Sequence, residues 1–333
     1  MNMKSGNHVN SGWPTALGGL AIACALSAPA AAQDWPDEEL VVSVVVPYSA
    51  GGGTDSAVRP LIEELRNHLP ARIQINNIGG AASSQGTNEV LNLPADGYTL
   101  LVSGTHTIGA TMQGLTDGYH ALDQVVALNW DPFIIAVLEN RPYDTMEQLV
   151  DAAKEKPGSI CLGNAGMGGA TGVASVAINL AFDGVFNVTP FDGGQNLRTD
   201  VLGGRCEAGI FSQSEILSNR ADLRPLVILT EEHSRLEGLA DVPNLVEAGY
   251  ETLDVPGGSF RSIAVRKGTP EEVQQIIADA FEAAFSSEAY TAFMDEQGII
   301  PTFSKGAEAA AYFDALVEGY EPIVRASGLY RDK

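Results

Sequence analysis

Three stretches of the sequence have residue types suited to holding an anion. The first is Ser49-Ala50-Gly51-Gly52-Gly53-Thr54-Asp55, preceded by Tyr48. The second is Gly163-Asn164-Ala165-Gly166-Met167-Gly168-Gly169-Ala170-Thr171. In each, glycines follow an apolar run and precede a helical pattern. Glycine lets the backbone approach a ligand closely, and the unpaired N–H groups of the helix then point at it with the positive end of the dipole behind them. Such a loop can cradle a carboxylate or a phosphate, and it can equally be a structural turn. No Lys-Ser/Thr follows the glycines of the first loop, which excludes a Walker phosphate loop, and it lacks the dinucleotide pattern too. The third stretch is Ser103-Gly104-Thr105-His106-Thr107. There Thr105 and His106 can hydrogen-bond a ligand, or the imidazole can satisfy local backbone.

Catalytic patterns are missing. No Gly-x-Ser-x-Gly elbow occurs. His68, His106, His120 and His233 are scattered, with no His-x-x-x-His or Cys-x-x-Cys spacing for a metal. The pairs Glu63-Glu64 and Glu271-Glu272 fall on solvated helix faces. No catalytic residue, metal or cofactor is expected.

The loops need elements to position them, and the chain alternates strand-like and helix-like segments, an α/β pattern with mainly parallel sheets. Leu40–Val46 reads as a buried strand, broken only by Ser43. Thr54 is placed as the cap of a helix to Leu69, kinked at Pro60. Strands follow at Arg72–Asn76 and, after the turn Pro94-Ala95-Asp96-Gly97, at Tyr98–Ser103. Phe133–Leu138 is a further apolar run. Thr145 and Gln148 form a capping box for a helix that stops at Lys156-Pro157-Gly158. Strands are then expected at Ser159–Leu162, Phe186–Thr189, Cys206–Phe211, Leu226–Leu229 and Phe260–Val265. Helices are expected at Thr171–Ala181 and between the loop Phe191-Asp192-Gly193-Gly194 and the turn Gly203-Gly204. The strongest helix signal has Thr269 as cap, Pro270 as first residue and Glu272 as capping-box acid. The order strand, Gly-rich loop, helix occurs at 41–69 and again at 159–181, which predicts two similar lobes whose facing helix N-termini grip one anion.

The first residues describe an exported chain. Lys4 precedes an apolar run from Ala16 to Ala32 that ends in Ser27-Ala28-Pro29-Ala30-Ala31-Ala32, as in a secretory signal peptide cleaved near Ala32. Cys24 after Ala21-Ile22-Ala23 is a poor lipoprotein match. The chain carries 19 Lys and Arg against 42 Asp and Glu, a net charge of −23 over 333 residues. Its field repels nucleic acid and anionic membrane, so an anionic ligand must be held by local groups. Cys161 and Cys206 remain after cleavage in an oxidising compartment.

Several ordered motifs share one resemblance. Val45-Val46-Pro47-Tyr48-Ser49-Ala50-Gly51-Gly52-Gly53-Thr54-Asp55 resembles the opening motif of the tripartite tricarboxylate transporter substrate-binding proteins, the Bug receptors. Pro94-Ala95-Asp96-Gly97-Tyr98-Thr99-Leu100-Leu101, Lys156-Pro157-Gly158 with the loop after it, Val201-Leu202-Gly203-Gly204-Arg205, Asp241-Val242-Pro243 through Glu247-Ala248-Gly249-Tyr250, and Lys267-Gly268-Thr269-Pro270 match further family segments in order.

The resemblance implies a two-lobed Venus-flytrap periplasmic binding protein, type II-like. Lobe 1 is placed at 33–135 and 258–333 and lobe 2 at 136–257, with chain crossings near Phe133–Asn140 and Pro256–Val265. It implies a monomer in the periplasm that captures a small organic anion (a di- or tricarboxylate, an aromatic acid or an acidic amino acid) and delivers it to integral-membrane permease subunits. The ligand cradle falls on Tyr48 to Asp55 and on Asn164, Ala165, Gly166, Gly168, Gly169 and Ala170, with Ser212 beside them.

Two departures from the family stand out. Asp192 replaces a usual Lys or Arg, and either receives a ligand ammonium or hydroxyl or faces solvent. Arg261 is a candidate counter-ion for a second carboxylate, or a salt bridge between lobes. Cys161 and Cys206 fall on strands that neighbour one another in this fold, so a disulfide and two free thiols are both open. A sensory receptor of the same fold feeding a membrane kinase is the alternative function, and a periplasmic hydrolase a remoter one.

Overall fold

A computed structural model of the protein describes residues 35–230, 237–250 and 255–332. The export segment read at 1–32 lies outside the described residues, as does His233. The β-branched run after it forms β1 (Val41–Val46), which pairs in parallel with β2 (Arg72–Asn77) on one side and β3 (Thr99–Gly104) on the other. Between them lie α1 (Gly53–Leu65) and α2 (Ser84–Asn92). Ala57, Val58, Leu61, Ile62 and Leu65 recur at helical spacing and bury one face of α1. The helix runs through Pro60 without a break. Its N-cap is Gly52, not Thr54, which sits in the first turn. The third chemical stretch is not a loop. β3 ends at Gly104 and α3 (Thr105–Met112) begins at once, with all its residues buried.

The element that organises the molecule is β4 (Leu122–Leu138), a 17-residue strand of which only the second half is legible as an apolar run. It is followed by α4 (Met146–Glu155), β5 (Cys161–Asn164), α5 (Ala170–Ala181), β6 (Asn187–Pro190), α6 (Gly194–Leu202), β7 (Ala208–Ser212), α7 (Gln213–Leu217) and β8 (Leu223–Ile228). The chain ends with β9 (Gly258–Arg266), α8 (Glu271–Phe285), α9 (Glu288–Gln297), β10 (Ile300–Lys305) and α10 (Gly306–Ala326). Leu122–Pro132 of β4 pairs antiparallel with β9, and Phe133–Leu138 pairs antiparallel with β7 and β8. The strand order is β2-β1-β3-β9-β4-β7-β5-β6, with β8 and β10 also on β4. The expected parallel ladders are the outer ones of each half. The crossing strands β4 and β9 pair antiparallel and make the sheet mixed.

Side-chain alternation along β4 divides its second half between two cores. Phe133, Ile135 and Val137 join one with α4 and α5, and with Phe313, Tyr320 and Val324 of α10. Ile134 and Ala136 join another with Leu197, Val201 and Phe211. Residues 36–333 form one compact unit. The Thr145 hydroxyl caps α4 as expected, accepting from the Gln148 amide at 3.2 Å. Thr269 does not cap α8. Its hydroxyl donates to the Arg266 carbonyl at 2.8 Å, and Pro270 takes the cap position.

Cys161 and Cys206 form a disulfide, with Cα atoms 5.0 Å apart. β5 and β7 are parallel neighbours, but Cys206 precedes the first residue of β7, so the strand register does not constrain it. The bond spans 45 residues of chain. Reducing it should cost about 2–4 kcal/mol of unfolding free energy by freeing the denatured chain. Urea titration with and without a phosphine reductant tests this, and coincident curves would remove the bond from the stability argument.

Candidate functional site

Three helices begin on one cavity. α1, α5 and α6 start at Gly53, Ala170 and Gly194, and their N-caps are Gly52, Gly169 and Gly193, none with a side-chain cap. A Ser, Thr or Asp at those positions would have taken up the first amides itself. With glycine there, the amides of Gly53, Thr54, Ala170, Thr171, Gly194 and Gln195 make no hydrogen bond among the described residues. All six residues line the cavity. Its volume is about 60 Å³ for the centres of water-sized occupants, room for a few waters or the head of a small acid. Three dipole ends and six unpaired donors make a local positive site within a chain of net charge −23.

The two glycine loops thus meet as expected, and the structure adds a third partner. Of the predicted set, Tyr48, Ser49, Gly52, Gly53, Thr54, His106, Ala165, Ala170, Ser212 and Arg261 line the cavity. The others support it or lie apart. Gly51, with a φ of 76°, turns its amide onto Asp55 Oδ2 at 2.8 Å. Asp55 also holds Arg59 at 2.6 Å and accepts from Asn77. Burial pushes its carboxyl up, and the bonds from Arg59, Gly51 and Asn77 outweigh this, leaving it below its ordinary value. Asp55 therefore pins the loop from outside the cavity lining. Asn164 does the same for the second loop. Its Oδ1 accepts from the Gly166 amide at 2.9 Å and its Nδ2 donates to Ser175 at 3.0 Å. Gly168 packs against Ala82, where an added Cβ would come within 2.7 Å of the Ala82 methyl. Thr105 is buried outside the cavity lining, and Ala50 is exposed. Asp192 is exposed and off the cavity, so the solvent reading holds for it.

His106 is 2% exposed and meets the Tyr48 ring edge-on at 5.3 Å. Its Nε2 lies 3.1 Å from the Val102 carbonyl, which can only accept, so Nε2 carries the proton. Burial lowers the ring to about 4, so it is neutral and Nδ1 is a bare acceptor. No described residue hydrogen-bonds that Nδ1. Burial likewise pushes the Tyr48 phenol up, so it stays protonated.

Arg261 is not an unpaired counter-ion. It is 1% exposed, with Nη2 3.2 Å from Asp131 Oδ2 and Nη1 3.1 Å from Asn129 Oδ1. Nη2 also donates to the Gly53 carbonyl at 3.3 Å. Asp131 in turn accepts from the Ser214 hydroxyl at 2.7 Å and the Ser214 amide at 3.3 Å. The pair bridges the neighbouring strands β4 and β9, and it anchors the start of α1. Its charges offset one another, while the Arg261 Nε stays buried with no hydrogen-bond partner among the described residues.

Sequence reasoning left Gly193, Gly194, Gln195, Thr171, Phe133, Ser259 and Glu215 out of the lining. The first two had a signal, since Gly193-Gly194 before a helix repeats the pattern of the other loops. Glu215 had one too: Ser212-Gln213-Ser214-Glu215 is a capping box, and the structure forms it at α7. Burial raises the Glu215 carboxyl above its ordinary value, the Ser212 amide and hydroxyl pull it down, nearby Asp131 raises it and Arg198 lowers it. Among the described residues no cluster of three or more His, Cys, Asp or Glu could hold a metal. No helix there is long and apolar enough to cross a membrane.

Known proteins share the family and the fold. BugT of Bordetella pertussis is 25% identical over 318 residues, covering 93% of this chain and 96% of BugT. The periplasmic binding protein BugD superposes with a TM-score of 0.80 at 22% identity, over 88% of this chain and 99% of BugD. R. palustris Rpa4515, solved with adipate, superposes with a TM-score of 0.79 at 22% identity over 88% and 99% of the two chains. These neighbours share the two-lobed α/β fold. Residues 57–329 match the tripartite tricarboxylate transporter family receptor, a family of substrate-binding receptors rather than enzymes, and the chain belongs to that family.

Proposed function

We propose that the protein is an exported periplasmic receptor that captures a small organic carboxylate and delivers it to the membrane permease of a tripartite transporter. The observation that carries this reading is the convergence of six unbonded helix-start amides on one cavity. Amide donors aimed at one point suit a carboxylate. Adipate in the structure of Rpa4515 supports the same ligand class. In this reading the protein is a monomer, and residues 33–135 with 258–333 close on 136–257 around the acid. The change of partner along β4 between Pro132 and Phe133 supports that division. Greater affinity for the acid in the closed arrangement drives the closure.

Thermal unfolding of the protein against mono-, di- and tricarboxylates, aromatic acids, acidic amino acids and phosphate tests the reading. A rise in midpoint with one carboxylate class is the expected result, because a ligand that binds only the native state must stabilise it. Phosphate alone raising the midpoint would overturn it.

The cradle has its own test. A Cβ at Gly53 would lie 3.1 Å from both the Ser212 hydroxyl and the Glu215 carboxyl carbon, so a leucine there fills the cavity. Gly53→Leu should lower affinity for the stabilising acid by roughly two orders of magnitude. The cost to stability should be about 1–3 kcal/mol. Calorimetric titration beside a urea melt reads both, and full affinity in Gly53→Leu would place the ligand elsewhere.

A further inference from the structure

The cavity holds two acceptors that the protein itself does not satisfy. Glu215 spends one oxygen on its capping box: Oε2 accepts from the Ser212 amide at 3.0 Å and from the Ser212 hydroxyl at 3.0 Å. Its other oxygen, Oε1, is shut away from solvent and has no hydrogen-bond partner among the described residues. The carboxyl lies against two of the glycines that begin the cradle helices. An added Cβ at Gly194 would collide with Oε1, and one at Gly53 would come within 3.2 Å of Oε2. Glycine at both positions is what lets an acidic side chain stand among the amide donors. His106 Nδ1 is the second acceptor, buried and unpartnered on a ring that lines the same cavity. Arg261 is paired with Asp131, and its Nε is a buried donor without a partner among the described residues, so it can take a carboxylate oxygen but bonds neither acceptor. Arg198 is near Glu215 and acts on it electrostatically, yet forms no ion pair with it among the described residues.

A buried acceptor left unpaired is destabilising, and a charged one more so. An unsubstituted di-acid brings only further acceptors and leaves both groups as they are. A hydroxyl or ammonium on the acid's carbon chain supplies the missing donor. We propose that Glu215 Oε1, with His106 Nδ1 beside the same cavity, receives a hydrogen-bond donor carried by the captured acid, so that this receptor selects a hydroxy- or amino-substituted carboxylate over its unsubstituted analogue. The inference rests on the receptor reading above and names its substrate class. Glu215 is then the specificity-determining residue, while the helix amides take the carboxylate.

The test is calorimetric titration of the whole protein with two matched sets of acids: succinate, malate and aspartate, then glutarate, 2-hydroxyglutarate and glutamate. In one set the hydroxy or amino acid should bind about tenfold or more tighter than the plain di-acid, since a site built to hydrogen-bond a group rejects the analogue that lacks it. The hydroxy and amino arms tell the two donors apart. Glu215→Gln keeps the shape and the capping contacts but turns an acceptor into a group that can donate, and it should bring the ratio to within about threefold. A thermal melt of the variant checks its fold, and if it does not fold the wild-type ratio alone decides. Plain di-acids binding as tightly as the substituted ones would overturn the inference. So would plain di-acids that bind best and weaken as pH rises, which would mean that Oε1 carries a proton and donates. Carboxylate binding without discrimination would sink this inference and leave the receptor reading intact. No binding by any acid would sink both.

Discussion

Arg261→Met should destabilise the protein by about 3–5 kcal/mol and weaken ligand capture with it. The reason is the charge it leaves behind. Asp131 is 0% exposed, and without the guanidinium its carboxylate keeps only the two bonds from Ser214. Asn129 Oδ1 and the Gly53 carbonyl each lose a donor as well. The Gly53 contact matters for function, because it holds the first residue of α1, whose amide belongs to the cradle. A second variant separates charge from packing. Arg261→Met with Asp131→Asn removes both charges and should recover at least half of the lost stability, since the cost of a broken buried pair is mainly the stranded partner. Urea unfolding of the three proteins measures this. A loss below about 1 kcal/mol for Arg261→Met would mean that solvent reaches Asp131 once the arginine is gone.

Gly104→Ala is expected to cost about 4 kcal/mol, an unusually large loss for one methyl group. Two effects add. Gly104 has a φ of 152° and a ψ of −154°, a region open in practice only to glycine, with a penalty of about 1–3 kcal/mol for other residues. In addition the methyl would run into the Phe260 carbonyl oxygen and lie 2.9 Å from the Phe260 carbonyl carbon. Backbone cannot swing aside as a long side chain would, so β9 must move away from β3 and overpacking adds about 1–3 kcal/mol more. Gly104 pairs with Arg261 across that ladder and directly precedes α3, which carries His106. The change therefore strikes two lining residues at once. Chemical denaturation of Gly104→Ala is the measurement, and a loss near 1 kcal/mol would show that the β3–β9 junction is more pliable than its packing implies.

The local elements were legible where one physical signal acted alone. β1 is a β-branched run with Val42, Val44, Val45 and Val46 buried, so its existence needed no context. The Thr145 cap was readable because a hydroxyl and the amide three residues on are chain neighbours. Where two signals competed, the reading slipped. Thr54 stands at a plausible cap, but Gly52 takes the role because the preceding turn already holds its amide on the Ser49 carbonyl at 3.2 Å. Thr269 was drawn off by the Arg266 carbonyl in the same way. The first half of β4, Leu122 to Pro132, carries Asp123, Gln124, Asn129 and Asp131 and does not look like a buried strand. It is one because β9 and β10 flank it, Arg261 bonds Asn129 and Asp131, and Ser262 bonds Gln124 Oε1.

By itself the sequence carried the family motifs and the Gly-rich helix starts. Glycine at the helix starts, the lack of catalytic or metal spacing and the order of the family motifs were enough to name an anion receptor and to point to both glycine loops. Those are properties of chain neighbours, and local spacing records them. The tertiary structure alone decided which distant groups share the cavity. It brought α6 in as a third helix start, matched Arg261 to Asp131, turned Asp192 outward and stood Glu215 among the amide donors. Local spacing marks α6 and the Glu215 capping box as elements, but which of them meet at one cavity depends on residues far apart in the chain, and spacing does not record that.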